Sequence, residues 1–450
     1  MQRTVLAEME SWNRRKNRKP LILMGARQVG KTWLMDEFAK TVYPGDSVAV
    51  NFMEDDTLRE NFETVKLDPN TLIPLIQARS GRKIVPGKTL LVFDEIQESP
   101  RALTSLKFFN EKVPGLALVA AGSLLGLSLR RKRGTREREA KGSFPVGKVD
   151  FIDVRPMSFA EYLLARGESM KLDELASGNW EVVNLVHDDL VRLLKDYMFV
   201  GGMPDAVKTF IESGDYLEVR HVQKAILKAY DKDFVKHAEP FLLPRIRLLW
   251  NNIPAQLGKQ NKKFVYKAMK EGARGRSYED ALQWLNDAGM IQQVFRANPP
   301  RLPLKSYEDF SAFKLYMHDV GLLGAMSDLP AAAILDRNSV FTNFKGALTE
   351  QYVLQELLAS GMAPSYWASD RGDAEVDFLV QGANAVFPLE VKAERNLKAK
   401  SLAAYREFFK PPVCYRTSLS EFAPGRLVRD LPLYAVSHIA EEVANAEFPQ

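Results

Sequence analysis

The stretch LILMGARQVGKTWLMDEFAK, residues 21–40, constrains this chain more than any other. Gly25, Gly30, Lys31 and Thr32 satisfy G-x-x-x-x-G-K-[ST], and a chance match in a chain of 450 residues is on the order of one in a hundred. An apolar run enters the loop, and an amphipathic helix carrying Leu34, Met35 and Phe38 is expected to leave it. Glycines let successive backbone N–H groups converge on phosphate oxygens, and the helix adds its positive N-terminal end. The expected nucleotide cradle is Gly25, Ala26, Arg27, Gln28, Val29, Gly30, Lys31, Thr32 and Trp33. Lys31 should reach the β and γ phosphates, and the Thr32 hydroxyl should ligate Mg²⁺. ATP and Mg²⁺ are the expected cofactors.

Such a loop needs a second strand that delivers a carboxylate to the metal. KTLLVFDEIQES, residues 88–99, ends a buried apolar run in Asp94 and Glu95. Asp94 is expected to hold the metal through water, and Glu95 to orient or deprotonate the attacking water. The next strand candidate, LALVAAGS at 116–123, brings Ser123 to the same sheet edge, where ligands of open α/β sheets gather. Ser123 reads equally as the N-cap of a following helix.

The length exceeds what one hydrophobic core organises, and a composition of 46% hydrophobic and 26% charged residues is that of a soluble globular protein. No apolar run approaches the roughly 18–20 residues a membrane helix needs, and the first twenty residues do not read as a secretory signal. The single Cys414 excludes an internal disulfide framework and a Cys-rich zinc module, so the expected location is the cytoplasm. The net charge of +5 is modest, but basic residues are dense at 13–20, 130–139 and 258–276. Such clusters suit phosphate binding as well as solvated loops.

The segments 244–260, 264–275 and 277–298 read as three short helices followed by a strand, with a β return at 312–323. Three helices and a two-strand ribbon suggest a winged helix-turn-helix, with the 278–288 helix directed toward a DNA groove. Lys259, Lys262, Lys263, Lys267, Lys270, Arg274 and Arg276 precede that helix and could meet phosphates. Winged helices also dock proteins, and Asp280, Gln283 and Asp287 do not make a basic reading face. DNA is the expected partner, a protein partner through the winged helix the alternative.

EVDFLVQGANAVFPLEVKA, residues 375–393, reads as a hairpin turning at Ala383 and Asn384. That register opposes Val376 to Val391, Phe378 to Leu389 and Val380 to Phe387, and a one-residue slip destroys all three apolar pairs. It also sets Asp377 opposite Glu390, and Glu375 opposite Lys392. Opposed carboxylates about 4.5–5.5 Å apart at Cβ are unfavourable without a cation or proton between them. Asp377 and Glu390 are therefore expected to hold Mg²⁺ or Mn²⁺, with Lys392 orienting water or stabilising charge. Glu350 shares a helix face with Val353, Leu354 and Leu357 and is the candidate third acid. Asp followed by Glu-x-Lys is the weak consensus of restriction-endonuclease-like nucleases.

Taken in order, the phosphate loop, FDEIQ, AAGS and FPVGKVDFIDVRPMSFAEYL at 144–163 resemble a bacterial and archaeal ATPase family of the AAA superfamily, related to archaeal-type and STAND NTPases. The resemblance puts Ser123 at the sensor-1 position, and the family often carries Arg where this chain has Lys148. YMFVGGMPDAV at 197–207 looks like the family's Gly-Gly-x-Pro signature in a helical lid, which implies that Pro204 contacts the base; its composition alone reads as a helix break. FKGALTEQYVLQEL, EVDFLV and LEVKAE resemble the C-terminal domain of unknown function in the same family. That implies a restriction-endonuclease-like fold with Glu350, Asp377, Glu390 and Lys392 at the active-site positions.

The expected architecture is α/β throughout: an AAA-type P-loop core at 1–165, a helical lid at 166–238, a winged helix at 239–325 and a nuclease-like domain at 326–450. The expected activity is ATP hydrolysis coupled to DNA binding or metal-dependent cleavage. Two alternatives are a nucleotide-dependent scaffold with an inactive nuclease-like domain, and a branched-DNA translocase. The last requires a homo-oligomer, for which Arg130, Arg131, Arg133 and Arg136 would supply arginines acting in trans.

Overall fold

Short runs of Leu, Val, Ile and Ala without polar interruption bury both faces of a strand, the pattern of a parallel sheet covered by helices on each side. The computed structural model describes residues 2–123, 125, 145–259, 263–266, 275–335, 342–371, 374–394 and 400–445. The chain divides into two compact units.

The first unit gathers Gln2–Arg155 with Asp287–Met290. Its strands are β1 (Leu21–Met24), β2 (Ser47–Asn51), β3 (Leu90–Asp94), β4 (Ala117–Ala121) and β5 (Asp150–Asp153), in the order β2-β3-β4-β1-β5. Every pairing is parallel, with Leu23 beside Ala121 and Phe93 beside Ala120. The carboxyl ends of β1, β3 and β4 therefore open on one edge, and β4 separates the loop-bearing strand from the acidic one. Phe52, Phe62 and Phe93 pack edge to face beneath the sheet, with Phe52 at 5.2 Å from each of the other two. Helix Pro100–Lys112 begins where Ser99 accepts the Ala102 amide at 3.2 Å and Pro100 takes the first helical position.

The second unit comprises Pro156–Asn286 and Ile291–Gln450. Residues 159–237 are almost wholly helical, starting at a reciprocal capping box between Ser158 and Glu161. Further along lie β6 (Ile291–Ala297), β7 (Glu308–Met317), β8 (Ser365–Ala368), β9 (Glu375–Gln381), β10 (Val386–Val391), β11 (Cys414–Ser418) and β12 (Val428–Pro432). They form one mixed sheet in the order β12-β11-β10-β9-β8-β6-β7. The antiparallel ribbon β6–β7 joins β8 through Arg296 beside Tyr366, so the sheet runs across the boundary expected at residue 325.

The ribbon departs from expectation at its second strand, which occupies Glu308–Met317 rather than 312–323. Asp319 stops it by accepting the Leu322 amide at 2.8 Å, which caps helix Val320–Met326. Helix Leu243–Leu257 and helix Glu279–Asp287 correspond to the first and third expected helices. The middle one, at 264–275, falls mostly outside the described residues.

The helix expected at 343–361 is Thr342–Ala359, and it carries a buried polar ridge. Gln351 bridges the Met317 amide and carbonyl at 2.9 and 2.7 Å. Gln355 accepts the Val320 amide at 3.0 Å and donates to Tyr197 Oη at 2.7 Å. Glu356 accepts the Phe159 amide at 2.9 Å, and burial pushes its carboxyl up to about 8. Each buried polar group on the ridge thus finds a partner, which its burial demands.

Candidate functional site

After β1 the backbone must turn tightly over the sheet edge. Gly25 has φ 144°, and a Cβ there would lie 2.2 Å from the Val154 carbonyl oxygen, so a side chain is excluded. Gln28 and Gly30 also take positive φ, 66° and 93°. The loop is braced from the N-terminal helix: Arg3 donates to the Val29 carbonyl at 3.0 Å and to the Arg155 carbonyl at 2.7 Å. Val29 is buried, Arg27 half-buried, and Gln28 and Trp33 exposed. The Lys31 ammonium turns back on its own loop, donating to the Gly25 and Ala26 carbonyls at 2.9 and 2.7 Å. Burial lowers its pKa to about 8 against the opposing pull of Glu95 and Asp94.

The Thr32 hydroxyl donates to Asp94 Oδ2 at 2.9 Å, and Asp94 Oδ1 accepts the Glu95 amide at 2.9 Å. Burial raises the Asp94 pKa despite both bonds. The chain then leaves β3 with Glu95 at φ 49°, a strained position for a residue with a side chain. One turn of 3₁₀ helix, Ile96–Glu98, returns Gln97 to the same place. Its Nε2 donates to Glu95 Oε2 and lies 3.3 Å from Ser123 Oγ, which donates to Glu95 Oε2 at 3.3 Å. A threonine hydroxyl and an aspartate thus share one corner of the edge, and a glutamate held by two polar side chains occupies the next. Such a set suits a hydrated divalent cation at the first corner and water activation at the second.

Residues 17–163 match the AAA domain family. The AAA-matching span contains the whole phosphate loop, Asp94, Glu95, Gln97 and Ser123. Two further spans, 191–333 and 345–430, match domains of unknown function, DUF8612 and DUF4143. Among solved structures, a Walker-type ATPase of Pyrococcus abyssi is 14% identical with TM-score 0.42, over 72% of this chain and 94% of that one. The Aeropyrum pernix ORC1 protein, solved in complex with DNA, is 12% identical with TM-score 0.25, over 73% and 91%. No curated protein matches the sequence.

Sequence reading missed two residues of the AAA-matching unit. Gln97 had a signal, since it sits two residues beyond Glu95 where a tight turn reverses the chain. Arg3 had none, because a basic residue in an N-terminal segment does not announce which carbonyl it will brace. Lys148, at the position where the resembling family often has Arg, pairs with Glu111 at 3.0 Å.

Outside the AAA-matching span, Pro204 opens helix Pro204–Ser213 and is half-buried. The two preceding glycines have partners within their own unit. A Cβ on Gly201 would lie 2.4 Å from Asp319 Oδ1, and one on Gly202 2.1 Å from the Met157 carbonyl. The Gly202 amide donates to Asp319 Oδ2 at 2.7 Å. Burial pushes Asp319 up to about 6 against several amide donors.

In the hairpin, the Gly382 amide donates to the Ala385 carbonyl at 2.9 Å, so Ala383 and Asn384 form the turn as expected. The pairing runs from Val386 beside Gln381 to Leu389 beside Phe378, the expected register. Beyond that the ladder gives way: the Val391 amide donates to Asp377 Oδ2 at 2.8 Å. Lys392 pairs with Glu390 at 2.6 Å, and Glu375 pairs not with Lys392 but with Lys314 of β7, at 2.5 Å. Glu350 is buried as expected and accepts the Tyr316 hydroxyl at 3.1 Å. Burial, opposed by Lys392, raises the Glu390 pKa.

Among the described residues no group of three or more His, Cys, Asp or Glu is arranged to hold a metal ion. The pair expected to share Mg²⁺ or Mn²⁺ meets lysines here, Asp377 with Lys314 at 3.9 Å and Glu390 with Lys392 at 2.6 Å. Elsewhere in the second unit, Lys259, Lys263 and Arg276 are exposed, while Lys262, Lys267, Lys270 and Arg274 lie outside the described residues. So do Arg130, Arg131, Arg133 and Arg136. Among the described residues no helix is long and apolar enough to cross a membrane.

Proposed function

We propose that this chain binds Mg²⁺-ATP in the loop of residues 25–33 and hydrolyses it. The observation that carries the reading is the joined pair of networks, Thr32 with Asp94 and Glu95 with Gln97 and Ser123, at one sheet edge. Lys31 exchanges its loop carbonyls for phosphate oxygens on nucleotide binding. Thr32 and Asp94 would hold a magnesium ion, which would supply neutralising charge on the phosphates. Glu95, oriented by Gln97 and Ser123, accepts a proton from the water whose oxygen bonds the γ phosphorus as the β–γ bridge breaks. Phosphate release by the purified chain, abolished in Lys31→Ala and Glu95→Gln, tests this; equal turnover in the wild type and both variants overturns it.

The finer reading is that nucleotide state governs binding of DNA by the second unit, supported by exposed Lys259, Lys263 and Arg276. A second reading, recruitment of a protein partner, is favoured by helix Glu279–Asp287, whose exposed residues Glu279, Asp280, Gln283 and Asn286 are acidic or neutral. Affinity for a fluorescent duplex, measured with ATP and without nucleotide over a salt series, separates them. Binding that weakens with salt supports DNA; no binding at low salt favours the protein partner.

A further inference from the structure

A fully buried lysine in the second unit has no place in nucleotide chemistry. Lys314 lies on β7, beside Val294 of β6, with its side chain withdrawn from solvent. Its Nζ stands 2.5 Å from Glu375, 3.8 Å from Glu350 and 3.9 Å from Asp377, and 5.0 Å from the Tyr366 ring centroid. The contacts are ion pairs rather than well-directed hydrogen bonds. Removing an ammonium from water is costly unless charge surrounds it. Burial, the largest influence, favours the neutral amine, yet Glu375, Tyr316, Glu350 and Asp377 together hold its pKa well above the ordinary lysine value.

The same geometry can be described from the acids. Glu350 and Asp377, two of the residues whose sequence context implied a divalent cation, each turn one oxygen to the ammonium. The second Asp377 oxygen takes the Val391 amide, and the Glu350 oxygen that faces the ammonium also takes the Tyr316 hydroxyl; Glu390 gives one oxygen to Lys392, while its other, buried oxygen accepts no hydrogen bond. A divalent metal would need several of these oxygens at about 2.0–2.6 Å. Three carboxylates converging on a buried point need a cation, and the chain provides it from a strand that precedes them in sequence.

We infer that Lys314 is the resident cation of the nuclease-like carboxylate cluster, occupying the position a catalytic metal would take and closing it to Mg²⁺ and Mn²⁺. The second unit then does no metal-dependent cleavage at these residues, and Glu350, Glu375 and Asp377 serve as counter-ions that fix β7 against β9 and helix Thr342–Ala359.

The test uses the full chain without nucleotide, with free Mn²⁺ followed by electron paramagnetic resonance. The wild type should show no Mn²⁺ binding that Asp377→Asn removes. Folded Lys314→Met should gain one Mn²⁺ with affinity at least tenfold above any wild-type site, and the double variant Lys314→Met/Asp377→Asn should lose it. Wild-type binding abolished by Asp377→Asn overturns the inference, as does a folded Lys314→Met that gains none. Should Lys314→Met fail to fold, amine acetylation of the wild type read by mass spectrometry decides. Lys314 should stay unmodified with and without millimolar Mn²⁺; metal-induced labelling would overturn the inference.

Discussion

The Thr32 hydroxyl donates to Asp94 Oδ2 at 2.9 Å, joining the first turn after the phosphate loop to the end of a strand that is not its neighbour in the sheet. The pair brackets the place where a hydrated cation would meet the phosphates. Asp94→Asn should keep the fold, since an amide oxygen can still accept from Thr32. It should weaken ATP binding about 10- to 100-fold in Mg²⁺ while leaving the weak metal-free binding unchanged. Titration of a fluorescent ATP analogue in Mg²⁺ and in EDTA reads both limbs.

Glu95→Gln should separate binding from chemistry. Turnover is expected to fall by roughly 10²–10⁴ because the proton acceptor is gone, with nucleotide affinity little changed. Gln97→Ala should lower turnover by less, because Ser123 still holds Glu95. Phosphate release at saturating ATP measures both.

With Lys31 on the phosphates as proposed, nucleotide affinity should depend on pH. The lysine's pKa of about 8 in the free protein is depressed by burial, and phosphate binding requires the charged form. Below pH 8 the ammonium is present and affinity is flat. Above it, binding must take up a proton, and affinity should fall toward tenfold per pH unit. In the fold itself the sign is opposite: the cost of burying the charge is full below pH 8 and is relieved between 8 and the unfolded value of 10.5. Binding curves from pH 7 to 9.5 check the first limb.

Glu356 gives the second unit the reverse trend. Burial raises its carboxyl from 4.5 to about 8, so between these values the folded chain keeps a proton that the unfolded chain releases. Its contribution to stability is complete below pH 4.5 and is lost as pH rises through 8. Glu356→Gln keeps an oxygen for the Phe159 amide and removes the slope. The variant's advantage in denaturation midpoint should grow from pH 5.5 to 8.

Gly202→Ala would force a methyl group to within 2.1 Å of the Met157 carbonyl, where backbone rather than a flexible side chain must yield. A loss of about 1–3 kcal/mol or more is expected from overpacking, read as a lower thermal midpoint. Nucleotide affinity unchanged under conditions where the variant is folded would mark the role as packing.

The first unit was legible because its signals are local. A phosphate loop specifies its strand, its helix and its glycines within one short continuous stretch, and the acidic strand carries its own apolar run. Gln97 needed the turn geometry that Glu95 adopts at φ 49°. The hairpin's turn and register were likewise readable from its apolar alternation. What periodicity could not supply was the buried lysine: pairing rules relate Asp377 to residues across the ladder, whereas Lys314 arrives from a strand three places away in the sheet, beyond β8 and β6. The 312–323 segment misled because apolar residues resume at Val320 after His318 and Asp319, and it is the cap at Asp319 that turns them into a helix.

The shared sheet has a practical consequence for anyone dissecting this chain. A cut at residue 325 would remove β6 and β7 together, although the span matching DUF4143 begins only at residue 345. The remaining fragment would keep Glu350, Glu375 and Asp377 but lose their buried counter-ion, and β8 would present a bare edge. Such a fragment should be poorly soluble and prone to edge-to-edge association, whereas one that begins ahead of Ile291 carries its own neutralising lysine.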